Sequence, residues 1–222
     1  NGHFICDEGR LSYTNESANR FETPLVNKNE TNVDNTITNM FKELTTNKNI
    51  LFVLSANLSI EEMQNVKNLA SKLNVDVSGY SPNTFDESFA DDYLRTNDRT
   101  ANRAAFKELQ IDESKEYFDE KLNKASLVII VENSYFENNA NLLENKKVIS
   151  LFSHHCMTIG YSNVAIPVAS FYEKSGTYIN INGIKQKVIS KMNKNNPMQS
   201  ITTVIEDLKK KKKKGTVWVL NQ

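Results

Sequence analysis

Apolar residues along the chain follow two rhythms. Ile37, Met40, Phe41 and Leu44 fall at i, i+3, i+4 and i+7, one face of a short amphipathic helix. Ile50–Leu54 then runs apolar without a break for the length of a strand, as expected where both faces of a strand are covered. Ser59 stands three residues before Glu62, the spacing at which two side chains satisfy each other's orphan backbone N–H groups at a helix start. The stripe Ile60, Met63, Val66, Leu69, Ala70 and Leu73 predicts a helix from there, and residues 75–77 a short strand. The alternation then repeats. Ser114 heads a helix carrying Tyr117, Phe118, Leu122 and Ala125, and Leu127–Val131 is a second buried strand. Residues 138–144 form a short helical candidate, and 148–152 and 164–168 are third and fourth strands. Strands alternating with helices predict an α/β fold with a mainly parallel sheet, right-handed crossovers and helices on its faces.

Three stretches stand outside this alternation. Residues 1–33 lack sustained periodicity and read as an irregular segment that must lean on the body. Residues 81–112 are polar, and a connection of that length is usually functional or partner-bound. Between 171 and 190, Gly176 supplies a permissive turn before the alternating Tyr178, Ile179, Asn180 and Ile181, which predicts a β-hairpin turning near Asn182-Gly183. A last helix is expected from Pro197, capped by Asn196, with the stripe Met198, Ile201, Val204, Ile205 and Leu208. Six lysines follow at 209–214. The expected organisation is an N-terminal segment at 1–33, an α/β domain at 34–208 and a basic, then apolar, tail at 209–222.

Composition narrows the picture modestly. The 222 residues are 39% hydrophobic and 24% charged, with 27 basic against 27 acidic side chains, so no global field favours nucleic acid or a membrane surface. The longest apolar runs reach about five residues, far below the roughly 20 needed to span a bilayer. The N-terminus has neither an initiator Met nor a signal-peptide pattern and reads as a cut or matured end. Cys6 and Cys156 form no CxxC pair, and a reducing, cytosolic compartment is the simpler expectation. The lysine run reads as a solvated tail, while Val217, Trp218, Val219 and Leu220 would suit docking against a neighbouring subunit.

Candidate chemistry is sparse. Cys6-Asp7-Glu8-Gly9-Arg10 joins a thiol to a turn-competent glycine and a cation, read either as a free thiol or as a cluster ligand. In His154-His155-Cys156, adjacent strand residues point to opposite faces, so at most His154 and Cys156 would share an ion, with no third ligand nearby. They are read instead as ending a strand at a polar crevice, where the C-terminal ends of strands in an open α/β sheet hold ligands. Glu173-Lys174-Ser175-Gly176-Thr177 lacks the phosphate-binding glycine pattern, and no nucleotide fingerprint is present.

Cys6 to Tyr13, with Asn19-Arg20-Phe21 and Thr23-Pro24-Leu25, resembles the C-D-x-G-R-F-x-Y…R-L…P-L opening found in the large iron–sulfur subunit of NADH:quinone oxidoreductase (respiratory complex I) and in molybdopterin oxidoreductases. Asn163 to Pro167, Phe171, Glu173 to Tyr178, Asn180 and Gly183 to Gln186 resemble the same family's A-D-V-V-L-P…F-x-E-K-x-G-T-F-x-N-x-E-G-R-x-Q. Weaker likenesses lie at 54–73 and 100–111, so the resemblance spans roughly residues 4–190. Asn163 replaces the family's Asp, and Ile184-Lys185 stands where an Arg is expected. The resemblance implies a non-catalytic scaffold in a respiratory NADH dehydrogenase, partnered by its other subunits, cytoplasmic and peripheral to the inner membrane. It further implies a 4Fe–4S cluster whose last ligand is Cys6, the rest lying upstream, and no molybdopterin. Two alternatives stand beside it: a fragment of an active molybdopterin-dependent oxidoreductase, and a plain α/β binding module.

Overall fold

The computed structural model describes residues 7–190 and 198–213. A short helix α1 (Asp7–Leu11) and a narrow hairpin of β1 (Leu25–Val26) and β2 (Asn29–Glu30) precede α2 (Val33–Thr46). The body continues with β3 (Ile50–Leu54), α3 (Ile60–Leu73) and β4 (Asp76–Ser78), then α4 (Ala104–Glu108), α5 (Lys115–Lys124) and β5 (Leu127–Val131). It closes with β6 (Lys147–Phe152), α6 (Met157–Tyr161), β7 (Val164–Pro167), a hairpin of β8 (Gly176–Ile179) and β9 (Lys185–Val188), and α7 (Ile201–Lys213).

The sheet has seven strands in the order β2-β1-β7-β6-β5-β3-β4. From β7 to β4 every pairing is parallel, with Ile50 opposite Leu127 and Leu127 opposite Lys147, while β1 and β2 extend it antiparallel at one edge. The hairpin β8–β9 is a separate antiparallel pair. The expected α/β fold, with a mainly parallel sheet flanked by helices and a hairpin near 171–190, is the fold observed.

Every residue of β3 and β5 is buried, because alternate side chains serve different layers. Ile50, Phe52, Leu54, Leu127, Ile129 and Val131 pack with α2, α3 and α7. Leu51, Val53, Val128 and Ile130 pack with Phe118 and Leu122 of α5 and with Phe136. Local chemistry fixes the helix ends. Ser59 and Glu62 form the complete capping box expected at α3, and Asn74 closes that helix in the left-handed region at φ 53°. Asn32 accepts a hydrogen bond from the Asn35 amide at 2.9 Å and starts α2.

Several expectations shift. The strand expected at 75–77 lies at Asp76–Ser78, one residue on, and that expected at 164–168 ends at Pro167. Residues 138–144 hold a 3-10 turn at Ala140–Leu143 rather than an α-helix, consistent with a segment too short to nucleate one. The last helix begins at Ile201, with the Ser200 hydroxyl accepting from the Thr203 amide at 3.2 Å; its stripe Ile201, Val204, Ile205 and Leu208 is buried as the periodicity requires. Asn196 and Pro197 lie outside the described residues, as do Cys6 and Trp218. No helix among the described residues is long and apolar enough to cross a membrane.

Val66 is 1% exposed in the larger core cluster. Val66→Asp is expected to cost about 3 kcal/mol or more by burying an unpaired carboxylate, seen as a large fall in the thermal midpoint. An unchanged melt would contradict the packing of α3.

Candidate functional site

Chain order along the parallel strands reverses between β3 and β5: from β3 the chain moves outward to β4, then returns to β5 on the other side and proceeds to β6 and β7. Loops leaving the C-terminal ends of the two strands therefore diverge and leave a crevice, the usual ligand position in open α/β sheets. The residues at this edge are Asn57 and Leu58 after β3, Glu132 and Asn133 after β5, and Ser153 and His154 after β6. A cleft of 490 Å³ is lined there by Asn57, Glu132, Ser153, His154, Tyr172 and Lys174 among others.

Glu132 is the most unusual of them. It directly follows the buried β5 and lies in the left-handed region at φ 53°, a conformation that costs a non-glycine residue about 1 kcal/mol or more. Its Oε1 accepts a hydrogen bond from the Ser153 amide at 2.6 Å. The residue keeps some surface towards the cleft although protein surrounds its carboxylate. That burial raises its pKa above the usual carboxylate range, against the opposing pull of Lys174 and the Ser153 hydrogen bonds. Asn133, 1% exposed, fixes the rim: its amide donates to the carbonyls of Leu54 at 2.9 Å and Tyr80 at 3.1 Å, and its oxygen accepts from the Tyr135 amide.

His154 is held at both ring nitrogens, with Ser153 Oγ 2.9 Å from Nδ1 and the Glu16 carbonyl 3.0 Å from Nε2. Donation from Nε2–H to that carbonyl leaves Nδ1 to accept from the serine hydroxyl. The N-terminal segment takes part here, because the Phe21 amide donates to the Ser153 carbonyl and the His155 amide to the Asn19 carbonyl. Arg20, 10% exposed, reaches Glu173 at 2.6 Å and Glu16 at 3.8 Å.

At the other wall the N-terminus of α3 faces the hairpin β8–β9. Lys174 Nζ lies 2.9 Å from Glu62 Oε2, with the two side chains 6% and 4% exposed. The same oxygen accepts from the Ser59 amide at 3.0 Å. Glu61 accepts from the Thr177 amide at 2.8 Å and hydroxyl at 2.6 Å. Burial works against its ionisation, but the Thr177 hydrogen bonds outweigh this and hold its pKa below the ordinary value. Asn102, fully buried, ties the 81–112 excursion to both walls: it donates to the Leu58 carbonyl at 2.7 Å and accepts from the Ile179 amide at 2.7 Å. That excursion is otherwise pinned by Arg103, which pairs with Asp98 and Glu113 and lies 4.3 Å over the Phe85 ring.

Gly176 serves a purpose other than the turn expected of it. It begins β8, and a Cβ there would sit 2.3 Å from the Ser59 Cβ, so close approach of hairpin to helix cap, not backbone freedom, requires glycine. The positive φ of the hairpin is at Gly183, 76°.

Of the expected site residues, His154 lines the crevice as anticipated. Cys156 does not: it lies in a separate shallow hollow with His155, Met157, Gly160 and Tyr161. Burial pushes its thiol up to about 11, which disfavours the thiolate that a metal would need. Among the described residues no three His, Cys, Asp or Glu side chains gather to hold a metal ion. Glu132, Ser153 and the Lys174–Glu62 pair are not singled out by the sequence. The one local signal is a Glu directly after an uninterrupted buried strand.

Fold and crevice together define a doubly wound α/β protein. No family model matches the chain, and no curated protein matches it. Among solved structures, a chain of the formyltransferase/hydrolase complex FhcABCD from Methylorubrum extorquens, in complex with methylofuran, superposes with a TM-score of 0.47 at 9% identity. The match covers 85% of this chain and 98% of that one. Membership of the NADH:quinone oxidoreductase iron–sulfur subunit family, expected from the terminal motifs, is therefore corrected: neither a family model nor a curated protein supports it. The description as an iron–sulfur, molybdopterin-oxidoreductase-like component of respiratory complex I falls with it. The 4Fe–4S cluster, its Cys6 ligand and the NADH dehydrogenase partners were implied by that family alone, and Cys6 lies outside the described residues.

Because the folded state holds a proton on Glu132 where the unfolded chain has already lost it, this group stabilises the fold at low pH. That contribution fades as pH rises past the ordinary Glu value and is lost through the raised one. Glu132→Gln is thus expected to unfold at a higher temperature than the native chain at about pH 8, with the difference shrinking towards about pH 4. A difference independent of pH would contradict the assignment.

Proposed function

We propose that the chain is a non-catalytic α/β scaffold, in which the place where a doubly wound fold would bind the phosphate of a ligand is filled by its own side chains. The observation that carries this reading is the state of the α3 N-terminus. Free N–H groups and a positive dipole end make such a terminus an anion site. Here Ser59 and Glu62 cap one another, Glu62 is neutralised by Lys174, and Glu61 is bonded to Thr177. A phosphate would have to displace two carboxylates and the hairpin that holds them. Exposed Met157 and Tyr161 on α6 supply apolar surface of the kind that docks against other chains, which supports a role exerted through surface rather than chemistry.

Thermal unfolding with ATP, NAD or inorganic phosphate at about 1 mM is expected to leave the midpoint unchanged, because none of them binds the folded state preferentially. A saturable rise with any of the three would overturn the reading. The closeness of the plug is tested separately. Gly176→Ala is expected to destabilise by about 1–3 kcal/mol, the usual cost of forcing a methyl into packed atoms, in denaturant unfolding followed by circular dichroism.

A further inference from the structure

The hairpin that plugs the α3 terminus carries at its turn a pair of residues that the scaffold reading does not use. Of the two Asn-Gly pairs in the chain, Asn182-Gly183 falls within the described residues. We propose that Asn182 is a site of spontaneous deamidation, and that Asn180 sets its pace by holding the attacking nitrogen.

The first argument is the chemistry of the dipeptide. The Gly183 amide nitrogen attacks Asn182 Cγ, the carboxamide C–N bond breaks, and ammonia leaves with the proton that the attacking nitrogen gave up. Water then opens the resulting succinimide at either carbonyl, yielding aspartate or, with the backbone rerouted through the side chain, isoaspartate. The step needs no oxidant, reductant or cofactor. Glycine favours the attack because no Cβ crowds the nitrogen. The positive φ of 76° keeps glycine here, since a Cβ built on Gly183 meets nothing within 4 Å.

The second argument is position. Asn182 and Gly183 are both exposed at the tip of a hairpin whose two strands pair only with each other. Among the described residues the Asn182 carboxamide makes no hydrogen bond. Such a tip opens locally at low cost, and a single residue defines what must open. The Gly183 amide donates to the Asn180 carbonyl at 2.9 Å, while Asn180 Oδ1 accepts from the amides of Asn182 at 3.0 Å and Ile184 at 2.9 Å. Asn180 therefore keeps the nucleophile engaged until the turn breathes. Asn133-Ser134 is the contrast within the same chain, with another small residue after the asparagine. Asn133 is 1% exposed, and its carboxamide is committed to the Leu54 and Tyr80 carbonyls and the Tyr135 amide.

The test ages the purified, folded chain in warm, mildly alkaline buffer and follows each asparagine of residues 7–190 by peptide mass spectrometry, which reads the amide-to-acid mass gain and separates aspartate from isoaspartate. Asn182 is expected to convert first, with isoaspartate among its products, while Asn133 stays intact. Asn180→Ala should speed conversion at Asn182 several-fold by removing the side-chain bonds that brace the turn. Gly183→Ala should slow it several-fold by placing a Cβ beside the nucleophile. Circular dichroism checks that each variant is folded, and the comparison of Asn182 with Asn133 needs no variant at all. Conversion spread over these asparagines without preference for Asn182, an unchanged rate in Gly183→Ala, or no acceleration in Asn180→Ala would each overturn the proposal.

Discussion

The buried ion pair between Lys174 and Glu62 is the contact on which the hairpin, the α3 cap and the rim of the crevice depend. Two opposite charges at 2.9 Å, almost without solvent, are stable only because each has no better place to go and because the Ser59 amide shares the carboxylate. The pair locks the hairpin over the first turn of α3, and Gly176 and Thr177 complete the contact. A helix terminus that elsewhere would be an anion site becomes an internal joint. Removal of one partner leaves a charge stranded in the interior, so the hairpin, the cap and the rim of the crevice stand or fall together.

The same joint shapes the space beside it. Lys174 of the pair also lines the crevice, where its charge opposes the rise in the Glu132 pKa, and the switch between β3 and β5 keeps the two loops apart so that the space stays open. The N-terminal segment and the 81–112 excursion, which look like ornaments to the sheet, build the remaining walls through Arg20, the Glu16 carbonyl and Asn102.

Legibility in the sequence follows the range of the interactions. Ile50–Leu54 and Leu127–Val131 are readable because burial on both faces leaves an unbroken apolar run, and α3 because its capping box spans only three residues. Short edge elements such as β4 and the turn at Ala140–Leu143 are misplaced or misassigned, since their state depends on neighbours rather than on period. The crevice is expected at His154, from its position at a strand end, but its chemistry is not. Glu62, Glu132, Ser153 and Lys174 are brought together from four separate segments, and nothing local marks their convergence. Gly176 is instructive: its neighbours match a family motif, and glycine is needed there, but for contact with Ser59 rather than for a turn. The terminal motifs that resemble the complex I iron–sulfur subunit are likewise not matched by any family model.

A double-mutant cycle on Glu62 and Lys174 tests the central claim most directly. Glu62→Gln and Lys174→Met, measured singly and together by denaturant unfolding, compare the loss from stranding each charge with the loss from removing both. If the pair is the joint between hairpin and helix, each single variant loses about 3–5 kcal/mol and the double variant loses little more than either alone. Losses that simply add would contradict the account, because they would mean that the two groups do not depend on one another.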